Sequence, residues 1–345
     1  MMEPKFKEQP AKVEIQTVHS DETGIRLDRW FKRHFPALTH SQLQKMLRTK
    51  QIRVDGKRAD SSDRLEAGQV LRLPPQLTGD FFVSPAVAPD VPVKRPLRNP
   101  NKLKSLILYE DEDVVALNKP AGLAVQGGTG LKENLDDSLM ALSLDGVTRP
   151  KLVHRLDRDT SGVLLIARND FAAMQLAASF RARSTQKIYW AATVGVPVPE
   201  QGRIEAPLIK KGQVMTIAQD EDLSSREAKS AVTLYRVMES IPRAMAFVAL
   251  WPLTGRTHQL RVHLAHLGTP IWKDPLYGFI KEEEELKGLT AMNLGAGLHL
   301  HARQLIIPHP RQGILNVTAP LSVAMQKTWR CFGFSEKARV DFDDI

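Results

Sequence analysis

Between Gly24 and Leu73 the apolar residues fall first at helical and then at strand spacing. Leu27, Trp30, Phe31 and Phe35 recur every three or four residues and predict a helix that Pro36 stops. Leu43, Met46 and Leu47 predict a second helix, for which Thr39 or Ser41 is the cap. QIRVDG then turns at Asp55-Gly56, and QVLRLP follows Ala67-Gly68, both as short strands. The pattern breaks from 74 to 101. Seven prolines and no sustained period predict an extended, semi-stiff linker there. From 103 onward solid or alternating apolar runs return. LILYEDEDVVALNKP reads as strand, acidic turn, strand, and VLLIARN, KIYWAATVGV, SAVTLYRVM and MAFVALWPL read as further strands. DFAAMQLAASFRAR predicts an amphipathic helix with Phe171, Met174, Ala177, Ala178 and Phe180 inward. A later helix is expected from about Thr257 to Leu267, with Leu260, Leu264 and Leu267 inward. The spacers lack a regular β-α-β rhythm, so the fold class expected is α+β with a mixed, mostly antiparallel sheet. The expected organisation is a flexible tail (1–20), a small α/β domain (21–75), a Pro-rich linker (76–102), the main domain (103–330) and a C-terminal tail (331–345).

Charge sharpens this division. The chain of 345 residues carries 48 Lys and Arg against 39 Asp and Glu, a net +9. Between Arg26 and Leu73 there are twelve Lys/Arg and five Asp/Glu, so most of the excess sits in one small unit. Lys45, Arg48, Lys50 and Arg53 fall on its second helix and the following turn, where they suit a phosphate backbone. A nucleic acid is therefore the expected partner. No apolar run approaches the roughly 20 residues of a membrane span. The N-terminal MMEPKFKEQPAK lacks the apolar core of a secretory signal, and its early acids argue against an organellar transit peptide. The single cysteine, Cys331, excludes an intramolecular disulfide. A reducing, cytoplasmic setting is expected, with a mitochondrial one as the alternative.

Four stretches offer chemistry. VHRLDRDTSGVLLIAR places Asp157 and Asp159 among Arg155 and Arg158 just before an apolar strand. Charge against a core strand is costly unless paired, so this is either a structural ion-pair knot or a carboxylate kept ionised by cations. In LTGRTHQLRVHLAHLG, Arg261 lies close to the apolar seam, and a buried arginine there needs a carboxylate. His258, His263 and His266 lack the spacing and companions of a metal site. In Lys187-Ile188-Tyr189-Trp190 a strand puts Lys187 and Tyr189 on one face, suited to phosphate contact and base stacking. LNKPAGLAVQGGTG closes a strand at Lys119 and lets backbone approach a partner closely.

Residues 24–73 resemble the S4 RNA-binding domain in RLDRWF, S-x-x-Q-x-M-L, I-R-V-D-G-K and the G-x-x-L-R-L ending. The remainder resembles the RluA-type pseudouridine synthases. The matching segments are NKPAGL at 118–123, HRLDRDTSG at 154–162, KIY at 187–189, GRTHQLRVHLAHLG at 255–268, D-P-L-Y-G at 274–278 and LHLHARQL at 298–305. AVQGGTG and the S4 domain point within that family to the RluC-like branch, which acts on large-subunit ribosomal RNA. One departure is Lys273-Asp274 where the family has Gly-Asp.

The resemblance implies an RNA-modifying isomerase that needs no metal or organic cofactor. It implies Asp157 as the catalytic carboxylate, attacking the sugar of a flipped uridine (an acylal) or removing its 2′ proton (a glycal). Tyr189 would stack on the base and help remove the proton at C5. Arg261 would hold and ionise Asp157, with Arg256 the alternative for that role or a phosphate contact. Arg155 would fill the gap left by the flipped nucleotide. Lys187, His154 and Lys119 are further RNA-contact candidates. The partner expected is rRNA, with no membrane, no obligatory protein partner and a monomeric chain.

Overall fold

The computed structural model describes residues 14–35, 38–77, 101–127, 133–182, 184–225, 227–278, 288–289 and 292–345. Four expectations fall wholly or partly outside them: the tail over 1–13, the helix stop at Pro36, the linker over 78–100, and the end of the glycine-rich loop at 128–130. The chain divides into two compact units, Met1–Lys94 and Arg95–Ile345.

In the first unit, α1 (Leu27–His34) and α2 (His40–Arg48) lie with strands β1 (Glu14–Thr17), β2 (Arg53–Val54), β3 (Lys57–Arg58) and β4 (Val70–Leu73). The strands pair antiparallel in the order β1-β4-β2-β3. Leu27, Trp30, Phe31 and Phe35 are all buried, as their spacing requires, and close on Leu43 and Leu47. Thr39 is the cap of α2. Its hydroxyl accepts from Gln42 N–H, and the Gln42 side chain accepts from Thr39 N–H. The β2–β3 turn uses positive φ at Asp55 (48°) and Gly56 (73°), the pair a tight hairpin demands. Residues 14–17 correct the expected tail. They form β1, because Ile15 and Gln16 complete the ladder of β4 at Arg72 and Leu71.

The second unit is built on one large sheet. Its strands are β5 (Ile107–Glu110), β6 (Val114–Lys119), β7 (Lys151–Leu152), β8 (Ser161–Ala167), β9 (Gln186–Val194), β10 (Gln201–Glu205), β13 (Val232–Ile241), β14 (Met245–Pro252), β15 (Leu300–Pro308) and β16 (Ile314–Thr318). The order is β10-β13-β14-β9-β15-β8-β6-β5, with β16 on β15 and β7 on β8. A separate hairpin joins β11 (Leu208–Lys211) and β12 (Val214–Ile217). Among the described strands of the large sheet only β8 and β15 pair parallel, at His301–Ser161 and Ala302–Gly162. The fold is thus mixed α+β with a mostly antiparallel sheet. At Gly162, φ is +110°, and an added Cβ would lie 2.2 Å from the Ala302 carbonyl oxygen, so only glycine lets the two strands meet there.

Both sheet faces are covered. Ile188, Trp190 and Phe247 pack against Trp329 of the helix Val323–Phe332. The expected C-terminal tail belongs to this layer: Phe334 and Phe342 are buried in the same cluster, so 331–345 is part of the core and not a tail. The helix Asp170–Arg181 also departs from expectation. Ala172 and Leu176 face the sheet, while Phe171 and Met174 are exposed. The cap fixes that rotation: Asn169 accepts from Ala172 N–H and donates to Asp113, holding the small residue toward the sheet.

Candidate active site

The charged loop before β8 separates its two carboxylates. Asp159 turns to the guanidinium of Arg158, at 3.0 and 3.2 Å. Asp157 lines a cleft of about 390 Å³, with its side chain 22% exposed. The loop is anchored from behind by Lys119. Its Nζ donates to the carbonyls of Pro120, Leu123 and Arg158, each at 2.9 Å, and Gly122 N–H also donates to Arg158. Lys119 is 0% exposed. Burial lowers its ammonium to about 7, against the opposing pull of Asp159 and Asp157. This corrects the expectation that Lys119 touches RNA: the turn after β6 wraps carbonyls around the ammonium and shuts it away from any ligand.

Strand β9 supplies the opposite wall. Its alternation puts Ile188 and Trp190 in the core and Lys187 and Tyr189 in the cleft. Pairing of β9 with β15 (Tyr189–Ala302) and of β15 with β8 (Ala302–Gly162) brings Tyr189 beside the Asp157 loop. Burial and the negative charge of Asp157 raise the Tyr189 hydroxyl well above its ordinary value. Burial lowers the Lys187 ammonium, which has no ion pair among the described residues. His154 lines the cleft with one nitrogen committed: Nε2 accepts from Leu165 N–H at 2.8 Å, and burial, then Lys187, lowers the ring to about 3. Arg155 and Arg256 are exposed at the cleft, and Arg256 Nε donates to Ser230 O. Asp157 is the only carboxylate among the lining residues.

The predicted pairing of Arg261 with Asp157 is not found, nor is the Arg256 alternative. Arg261 lies in the first turn of the helix Gln259–His266 and binds Asp274 through Nε and Nη2, at 2.7 and 2.6 Å. It still lines the cleft with Asp157. The reason for the difference is burial: Asp274 is fully enclosed, also accepts from Leu276 and Tyr277 N–H, and offers the guanidinium two oxygens in fork geometry. Asp274 carried a signal in the sequence, since a seam arginine demands a carboxylate.

Gln259, His258, Tyr277 and Lys273 lie outside the predicted set of site residues. Gln259 ties the 254–258 loop down, accepting from Thr254 Oγ1 and Arg256 N–H and donating to Val232 O and Thr233 Oγ1. His258 sits in left-handed backbone (φ 55°) with Nε2 4.0 Å from Asp157 Oδ2 and Nδ1 2.8 Å from Tyr277 Oη. Tyr277 Oη also accepts from Met215 N–H; when its own proton goes to His258 Nδ1, the neutral ring carries its proton on Nε2, the nitrogen nearer Asp157. Lys273 likewise adopts positive φ (57°), which accounts for the glycine expected there, and its ammonium lies 5.0 Å from the Trp272 ring centroid. His263 is buried against Thr233 Oγ1 and Ala206 O. Among the described residues no cluster of His, Cys, Asp and Glu has the arrangement of a metal site, and no helix is long and apolar enough to cross a membrane.

In the first unit, Lys45, Arg48 and Lys50 are exposed, while Arg53 is half-buried and donates to Gly56 O at 3.1 Å.

Residues 113–266 match the RNA pseudouridylate synthase family, and residues 25–71 match the S4 domain. Ribosomal large subunit pseudouridine synthase C of Rickettsia bellii is 37% identical over 268 residues, covering 76% of this chain and 86% of that protein. The protein of the same name from Escherichia coli is 34% identical, covering 93% of this chain and 97% of that protein. The solved structure of human RNA pseudouridylate synthase domain containing 4 is 35% identical with a TM-score of 0.57, covering 67% of this chain and 94% of that one.

Proposed function

The chain belongs to the RNA pseudouridylate synthase family, and from that premise we propose that it converts uridines of large-subunit ribosomal RNA to pseudouridine, with Asp157 acting on a flipped nucleotide. The observation that carries the reading is the solitary carboxylate: Asp157 faces a cleft otherwise lined by cationic, neutral polar and apolar side chains. The names of the relatives at 34–37% identity supply the RNA class.

Asp157 has two routes to breaking the C1′–N1 bond. It attacks C1′ and forms an ester-like bond as uracil leaves with the N1 electron pair, or it removes the C2′ proton as the same bond breaks. The detached uracil then rotates and C5 bonds to C1′, displacing the Asp157 carboxylate in the first route and with Asp157 returning the proton to C2′ in the second; the C5 proton then leaves, N1 is protonated, and the uracil ring is restored. Tyr189, its hydroxyl kept protonated by burial, packs against the base and assists that last proton transfer. Lys187 and Arg256 meet phosphate, and Arg155, exposed at the mouth, occupies the space the nucleotide leaves.

The test is pseudouridine mapping, by carbodiimide-dependent reverse-transcription stops, on ribosomal RNA from cells lacking the gene. The same cells are re-supplied with wild type, Asp157→Asn or Tyr189→Phe. Stops that vanish on deletion and return with wild type alone are expected. Stops that return with Asp157→Asn overturn the role of Asp157, and ribosomal RNA unchanged by deletion overturns the substrate.

A further inference from the structure

Beside the catalytic cleft lies a second cavity of about 300 Å³. The two share a wall that includes Lys187 and Arg256. The second adds Arg181, from the end of its helix, and the half-buried ring of Trp251. No Asp or Glu lines it. Neither Arg181 nor Lys187 has an ion pair among the described residues, although Lys187 is half-buried. A half-buried ammonium at Lys187, flanked by two exposed guanidinium groups and without a counter-ion, is unfavourable for the free protein. It becomes favourable when a ligand supplies the anion. The shared wall says which anion: a strand that sends one nucleotide into the cleft beside Asp157 must carry a phosphodiester past Lys187.

We propose that this second cavity is a phosphate-binding subsite for the RNA nucleotide adjacent to the flipped one, with Arg181 a phosphate ligand alongside Lys187 and Arg256 and with Trp251 offering a stacking face. This rests on the functional reading above and extends it to a residue outside the motifs. Arginine suits the role because its fork matches two phosphate oxygens and is always charged.

The experiment titrates the full chain with a labelled pentauridylate at several salt concentrations, comparing wild type with Arg181→Gln. Arg181 is exposed, so the substitution leaves the core untouched. Loss of one phosphate contact on a single strand is expected to reduce the slope of log K against log salt by about 0.7 and to weaken binding roughly threefold to tenfold at low salt. Superimposable titrations overturn the subsite. In parallel, both proteins are assayed on ribosomal RNA from cells lacking the gene, where KM is expected to rise with Arg181→Gln. If wild type itself forms no pseudouridine there, the activity reading fails, and the salt slope still decides whether the cavity holds a phosphate.

Discussion

Arg261 and Asp274 are each other's counter-ions, joined by paired hydrogen bonds with the guanidinium 3% and the carboxylate 0% exposed. Arg261 therefore stands in the cleft wall as a charge already neutralised and fixed in orientation. Asp274→Asn leaves that guanidinium facing an amide with a single acceptor oxygen. Breaking a buried pair from one side costs about 3–5 kcal/mol. Urea unfolding is expected to show a loss of that size, with pseudouridine formation falling together with it. Arg261→Met combined with Asp274→Leu is expected to recover much of the stability and none of the activity. An unfolding curve for Asp274→Asn that overlays wild type would show the pair to be dispensable.

His258 faces Asp157 as a neutral ring. Burial lowers its titration below the ordinary histidine value, and the Asp157 charge only partly offsets this. The ring meets Tyr277 Oη through Nδ1 at 2.8 Å and turns Nε2 to the carboxylate at 4.0 Å. Protonation at lower pH makes an imidazolium, which donates from both nitrogens and competes with the sugar for Asp157. The rate is expected to be level at neutral pH and to fall below the ordinary histidine range. His258→Gln is expected to lose that acid limb while keeping measurable activity. A pH–rate profile for His258→Gln that keeps the wild-type limb would assign it to another group.

Periodicity and motif spacing make most of the architecture legible in the sequence. The strands with apolar alternation and the first helix of the small unit lie where their patterns put them, because burial on one face is a strong local constraint. The helix Asp170–Arg181 went the other way: its rotation is set by Asn169 and Asp113, which a hydrophobic pattern does not weigh. The site was legible as a set of residues, with Asp157, Tyr189, Lys187, His154, Arg155, Arg256 and Arg261 converging on one cleft. Their pairings were not. Arg261 chose Asp274 over Asp157, and Lys119 chose three carbonyls over solvent, because both choices depend on tertiary burial that spacing along the chain does not encode.

Lys119 gives stability a pH dependence of definite sign. In the folded chain it loses its proton near 7, in contrast to 10.5 for an ordinary lysine. Between those values the unfolded chain holds a proton that the folded chain has released. Stability is therefore expected to rise with pH across that window, since raising pH favours the state with fewer protons. Lys119→Met removes the slope. It also leaves the carbonyls of Pro120, Leu123 and Arg158 without the ammonium, so unfolding at pH 7 is expected to need about 2–4 kcal/mol less. Urea titrations at pH values of about 7, 8 and 9 for both proteins read the two effects together. Equal slopes in wild type and Lys119→Met would remove Lys119 as their source.

The basic face of the first unit makes a separable prediction. Lys45, Arg48 and Lys50 are exposed, and none has an ion pair among the described residues. They form an unneutralised patch of the kind that phosphate attracts, whereas half-buried Arg53 is partly engaged with Gly56. Replacing all three by Gln removes charge without touching the core of Leu27, Trp30 and Phe31. Affinity for a structured fragment of large-subunit RNA is expected to fall by about one to two orders of magnitude at low salt, with the salt slope smaller by up to about 3. Because these residues are remote in the sequence from the Asp157 cleft, the single-turnover rate on saturating RNA is expected to fall far less than the affinity. A triple variant that binds like wild type at every salt concentration would move the RNA contact to another face of the unit.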